Sequence, residues 1–243
     1  NALQPDPLPH LAAEPLPAAL EPVRAALAAG QIDPARSALA QTRAQAPASW
    51  GAALELAIAL QAGQWQEART LAQQQMPQRP PLPVWLMQSD LLLMGGEGQA
   101  AVATLQGALQ QWPAHPALLA QLARAQLLQD RAGDATTTLA QGQAPHPELA
   151  LARGALDRRQ GDAPTTLAAY TEATQLAPQD ARGWLGLGSA HTEREDTGPA
   201  RQHLQQAIAL APHLAQDQGE RGTLETFANR FTDAENAFQA TLQ

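Results

Sequence analysis

No cysteine occurs in the 243 residues. That excludes disulfides, thiolate nucleophiles and cysteine-ligated zinc or iron–sulfur sites together. Lysine is absent as well, so all 15 basic residues are arginine, set against 23 Asp and Glu for a formal charge of −8. An acidic balance without a basic cluster speaks against a nucleic-acid partner, because neutralising phosphates takes Lys/Arg patches. The one tight basic pair, Arg158-Arg159, follows Asp157 and is too small for such a footprint. Aromatics are scarce at 4% although 44% of the chain is hydrophobic, so any core is built from small aliphatic side chains. No apolar run approaches the roughly 20 residues that cross a bilayer, which excludes direct membrane insertion. The chain opens at Asn1 with no charged-then-apolar leader, and reads as a processed form or an excised fragment that has lost any address label.

What the chain does have is periodicity. Ala35, Ala68, Ala101, Ala135, Thr166, Ala200 and Ala234 form a ladder of small residues with steps of 33, 33, 34, 31, 34 and 34. Four residues after each stands Leu39, Ala72, Leu105, Leu139, Tyr170, Leu204 or Phe238. Twelve residues after the first six come Pro47, Pro80, Pro113, Pro147, Pro178 and Pro212. Five residues before each stands Gly30, Gly63, Gly96, Asp130, Gly161, Glu195 or Asn229. Four columns that move together through a 31-residue step mark an internal repeat.

Each column has a mechanical meaning. A small residue and a larger one four positions on share a helical face, the first admitting a neighbouring backbone and the second filling the gap. Proline ends that helix. The Gly/Asp/Asn column supplies the left-handed or turn conformation between two helices. Helix starts are predicted at Asp33-Pro34, at Asp162 with Pro164, at Gly198-Pro199, and at Thr232 with Glu235 as a capping box. The first helix of each unit shows an i, i+3, i+4, i+7 stripe: Trp85, Gln88, Ser89, Leu92; Leu119, Leu122, Ala123, Gln126; and Trp184, Leu187, Gly188, His191.

The run Trp184…Leu187-Gly188…His191…Ala200…Leu204…Ala207…Pro212 resembles the tetratricopeptide-repeat (TPR) signature, with His191 in place of the usual Tyr and Leu204 in place of Phe. Gly154…Tyr170…Ala173…Pro178 and Gly222…Ala234…Phe238 match in part. The resemblance extends over roughly residues 18–243 and is of bacterial type, since the Ala-, Gln-, Arg- and Pro-rich composition suggests a GC-rich bacterial genome. It implies an all-α fold, a right-handed α-solenoid of about seven helix-turn-helix repeats (about 18–47, 48–80, 81–113, 114–147, 148–178, 179–212 and 213–243). Residues 1–17, with Pro5, Pro7, Pro9, Pro15 and Pro17, read as an extended arm or linker. In the first copy the helix is expected to begin near Glu21 with Pro22 in its first turn. The short step from Pro147 to Pro178 predicts that the helix after Pro147 loses a turn or shifts register.

By the same resemblance, the first helices line a concave groove that binds a protein or peptide, and no cofactor or metal is implied. Its positions would include Leu86, Asp90, Leu93, Ala120, Arg124, Leu127, Arg158, Leu185, Ser189 and Thr192. The chaperone-binding members of the family hold a C-terminal carboxylate with Lys and Asn, a constellation this lysine-free chain lacks. Many bacterial members serve in envelope assembly or export, which points to a periplasmic or other cell-envelope scaffold, with the cytoplasm as the alternative. A rival reading is a structural spacer with no groove ligand. The final repeat ends without a polar capping helix, so the natural chain is expected to continue past Gln243 or to self-associate there.

Catalytic constellations are missing from the pattern, and the chain reads as a non-enzyme. None of the six His makes a His-x-x-x-His pair. Ser189 and His191, two apart on a helix, point in different directions. Gly95-Gly96-Glu97-Gly98 has no preceding strand and no following Lys, so it reads as an inter-helix turn. His115 and His146, beside boundary prolines, read as solvated loop residues. Trp50, Trp65 and Trp112 read as fillers between helices, Trp112 the most exposed.

Overall fold

The computed structural model describes residues 6–76 and 79–210. The expected seventh hairpin, with Asn229, Ala234, Phe238 and the Thr232/Glu235 capping box, lies outside the described residues. The chain divides into two units, 1–138 and 139–243, and no strand occurs among the described residues.

In the first unit α1 (Pro7–Leu11) leads through a 3-10 turn at Ala18–Leu20 to α2 (Glu21–Ala28) and α3 (Ile32–Thr42). Then come α4 (Ala48–Gln61), α5 (Trp65–Gln75), α6 (Leu82–Met94), α7 (Gly98–Gln111), α8 (Pro116–Leu127) and α9 (Ala132–Leu139). From α2 to α8 each helix packs on the next in chain order, and the first helices also touch one another, α2 on α4, α4 on α6 and α6 on α8. Hairpins stacked in chain order are the solenoid arrangement. The second unit holds α10 (Pro147–Gln160), α11 (Ala163–Leu176), α12 (Ala181–Glu193) and α13 (Thr197–Leu210), with the same consecutive packing and α10 touching α12.

The small-residue ladder is where helices meet. Ala35, Ala68, Ala101, Ala135, Thr166 and Ala200 are all buried, as are their partners Leu39, Ala72, Leu105, Leu139, Tyr170 and Leu204. The column five residues earlier is left-handed at every described position: φ is +70° at Gly30, +70° at Gly63, +76° at Gly96, +59° at Asp130, +78° at Gly161 and +62° at Glu195. At each, two backbone bonds seal the helix end. Gly30 N–H donates to Leu27 C=O and Gln31 N–H to Ala26 C=O, and Glu195 with Asp196 repeats this on Thr192 and His191. This is the Schellman pattern, which satisfies carbonyls that a helix end otherwise orphans.

Two local expectations differ from the structure, and a third is decided by it. Proline content predicted an extended arm over residues 1–17, but Pro7–Leu11 is helical. The Asp6 carboxylate accepts from Leu8 N–H at 3.0 Å, and proline is tolerated in a first turn where no intrahelical donor is needed. α3 begins at Ile32 rather than after Asp33, because Ala35 N–H already bonds Gln31 C=O. The short step from Pro147 to Pro178 does not cost the following helix a turn. α10 starts at Pro147 itself, whereas α8 and α12 start three residues after Pro113 and Pro178, so the connection is what is shortened and the helix shifts register. α10 is a full 14 residues, whereas α9 has only 8. Thr136 and Thr137 hydroxyls bond back to Ala132 and Gly133 carbonyls, and a run of threonine favours helix poorly.

Candidate functional site

In the first unit the chemistry gathers on α6. Asp90 is only 4% exposed. A buried carboxylate is costly unless charge and hydrogen bonds answer it. Gln121 and Arg124, three residues apart on α8 and so on one face, supply two donors. Gln121 Nε2 lies 2.5 Å and Arg124 Nη1 2.9 Å from Asp90 Oδ1. The third is His10 of α1, whose Nε2 is 2.7 Å from Asp90 Oδ2. Burial pushes the Asp90 carboxyl up, but His10, Arg124 and Gln121 together outweigh it and hold the group below the usual carboxylate range. Ser89 Oγ, itself donating to Leu86 C=O at 2.7 Å, accepts from Gln121 Nε2 at 3.1 Å.

The groove positions implied by the sequence fare unequally here. Leu86 is 1% exposed and lies in a core cluster with Leu82, Leu105 and Leu118, while Leu127 and Ala120 are also buried. These three side chains are closed to solvent, Leu86 within a cluster against which Ala13 also packs. Leu93 and Arg124 remain half-buried.

In the second unit Leu185, Ser189 and Thr192 occupy successive turns of α12, each half-buried, and Thr192 Oγ1 donates to Gly188 C=O at 2.8 Å. Arg158 of α10 is exposed, and its guanidinium reaches Glu193 of α12 at 2.5 Å. Beneath them Tyr170 of α11 meets Gly154 and Gly186, where a Cβ would run into its ring. Arg182 holds α10 to α12 by bridging Glu148 and Asp180. Its proton is held more firmly than usual: burial works against the charge, and the two carboxylates more than offset it.

Histidine environments also differ from the expectation. His146 is no solvated loop residue: its Nδ1 accepts from Glu148 N–H at 3.2 Å as the N-cap of α10. His191 Nδ1 faces Asp196 at 3.3 Å, and the rings of His191 and His203 stack 5.3 Å apart. No group of three or more His, Cys, Asp or Glu among the described residues is arranged to hold a metal. No described helix is long and apolar enough to cross a membrane. Trp112 is half-buried, set edge-on to Trp85 at 6.4 Å.

Sequence reasoning missed His10 and Gln121. His10 lies 80 residues from Asp90, so no local spacing links them. Gln121 could have been found as the residue one turn before Arg124 on the same face.

Comparison with known families settles the class. One tetratricopeptide-repeat profile matches residues 21–83 and 149–215, more than half of the chain, and another matches 92–158. The chain belongs to the tetratricopeptide-repeat family. Among solved structures, this TPR chain is similar to the APC/C hetero-tetramer Cut9-Hcn1, at 15% identity and TM-score 0.66, covering 86% of this chain and 44% of that one. It is also similar to TTC0263, a thermophilic TPR protein of Thermus thermophilus, at 14% identity and TM-score 0.64, covering 74% of this chain and 98% of that one. The chain therefore spans under half the length of the Cut9-Hcn1 chain it matches. No curated protein matches it. TPR arrays are protein-interaction scaffolds, typically without catalysis, and this chain is such an array.

Proposed function

We propose that the chain is a non-catalytic scaffold that grips a peptide or short helix of a partner protein on the face formed by its first helices, within a bacterial envelope assembly or export complex. One observation carries this reading. The short helix α1 packs on α2, α4 and α6, all first helices, through buried Leu11 and the His10–Asp90 pair. A face that receives one short amphipathic helix has the apolar floor and the charged anchor that helix-in-groove recognition uses. In the second unit, half-buried Leu185, Ser189 and Thr192 beside Arg158 offer a similar mixture.

A photo-crosslinking residue placed at Ser189 on α12 is expected to trap a partner protein in living cells. The same probe at exposed Gln205 on α13 is expected to trap far less. Equal yields from the two positions would overturn the face assignment. Fractionation of those cells into envelope and cytoplasm tests the location, and the adduct is expected in the envelope fraction.

A further inference from the structure

We infer that α1 is a displaceable, built-in occupant of a peptide site on α4 and α6, and that the natural competitor is a short helical segment of a partner protein with the same chemistry. That chemistry is two leucines three residues apart, an imidazole between them and a carboxylate three residues after the second. This inference rests on the proposed first-helix binding face and names what fills it.

The attachment is tertiary. Leu8 and Leu16 pack against a cluster that contains Leu54, Val84, Met87 and Leu91, and Leu11 is part of that cluster. The Glu14 carboxylate accepts from Leu82 N–H at 2.8 Å. Leu82 is the first residue of α6, so this is one of the donors a helix start leaves without an intrahelical acceptor. The segment thus addresses α6 at two places, with His10 on Asp90 and Glu14 at the helix start.

α1 is poorly suited to permanence. Five residues cannot sustain a helix unaided, since isolated helices shorter than about 12 residues are marginal in water. It exists as a helix because it is docked. The receptor, by contrast, does not depend on α1 for its donors: Gln121 at 2.5 Å and Arg124 at 2.9 Å from Asp90 both come from α8. Departure does bare the apolar floor around Val84 and Met87, so exchange is favourable only when an equivalent segment replaces α1.

The test uses the purified full chain and a fluorescent peptide of the sequence DPLPHLAAEPLP, identical to residues 6–17. In the wild type the resident helix competes, so apparent affinity is reduced by the fraction of molecules with the site open. Leu11→Glu, and His10→Glu as a companion that sets a second carboxylate against Asp90, are expected to undock α1 and tighten peptide binding by about tenfold or more. Circular dichroism establishes that each variant is folded. A peptide with Glu in place of its histidine is expected to lose binding to both variants. Absence of binding to a folded variant, or equal binding of a scrambled peptide, would overturn the proposal. So would amide exchange of residues 8–14 at the rate of the α4 core in the wild type. Failure of the Ser189 crosslink with intact peptide binding would refute the wider face and leave this site standing. The reverse pattern would refute α1 as an occupant and leave the wider face.

Discussion

The ring of Tyr170 occupies the space that a side chain at Gly186 would need. Gly154 stands in the same relation to that ring from α10, where a Cβ would lie 2.8 Å from it. The large member of the ladder therefore sits in a slot of absent side chains contributed by the two first helices beside it. Its phenol is pushed up by burial, eased in part by the Arg158 guanidinium.

Gly186→Ala should force the Tyr170 ring out of place and lower stability by about 1–3 kcal/mol, the usual cost of overpacking. Gly133→Ala in α9, with nothing within 4 Å of the added carbon, should raise stability by about 0.5–1 kcal/mol. Urea unfolding of the two variants tests the pair of signs.

Glu195 holds a left-handed backbone that an L side chain adopts at a cost of about 1–2 kcal/mol. Part of the relief in Glu195→Gly is offset by the greater freedom of glycine in the unfolded chain, leaving an expected gain of about 0.5–1 kcal/mol. Gly161→Ala, in the same column, should move the other way. Thermal melts of both variants check this.

The α10 start should weaken in mild acid. Burial lowers the His146 pKa, with Glu148 partly opposing, and its Nδ1 accepts a hydrogen bond that a proton would block. The native state then binds fewer protons than the unfolded one. Its contribution is complete above the unfolded value of about 6.5 and is lost as pH falls through that range. His146→Asn keeps an N-cap acceptor without titrating, so unfolding free energy between pH 8 and 5 should show a shallower slope. Some slope should remain, because burial and the neighbouring His191 lower His203 as well.

Asp90 works in the opposite pH range. Its carboxyl is held below the ordinary value, so its contribution is present above about pH 4 and disappears as pH falls through the native pKa. Asp90→Asn leaves His10 and Arg124 facing a neutral amide and should cost about 1.5–3 kcal/mol at pH 7. The gap to wild type should close in strong acid. Urea unfolding at pH 7 and at successive steps below pH 4 follows the gap as it narrows.

The repeat was legible because its columns are set by backbone geometry that every copy must meet. Ala35 through Ala200 are buried where spacing put them, and Glu195 proved left-handed although its residue type alone argues against it. What could not be read was anything joined across long separations. Proline in residues 5–17 suggests extension, yet a five-residue helix forms there because its partners lie on α2, α4 and α6. Leu86 and Leu127 carry the groove register of the repeat, but register fixes only a direction. Whether a side chain pointing that way meets solvent depends on what packs over it.

The end of each first helix, from Gly30 to Glu195, is sealed by carbonyls no more than five positions back. Turn formation in this chain is thus indifferent to what lies upstream. Excising residues 31–63 would join Gly30 to Gln64, whose N–H would find Ala26 C=O where it now finds Ala59 C=O. Length is consequently a free variable of the architecture, open to change by whole periods, while the fit of any one inner surface is not.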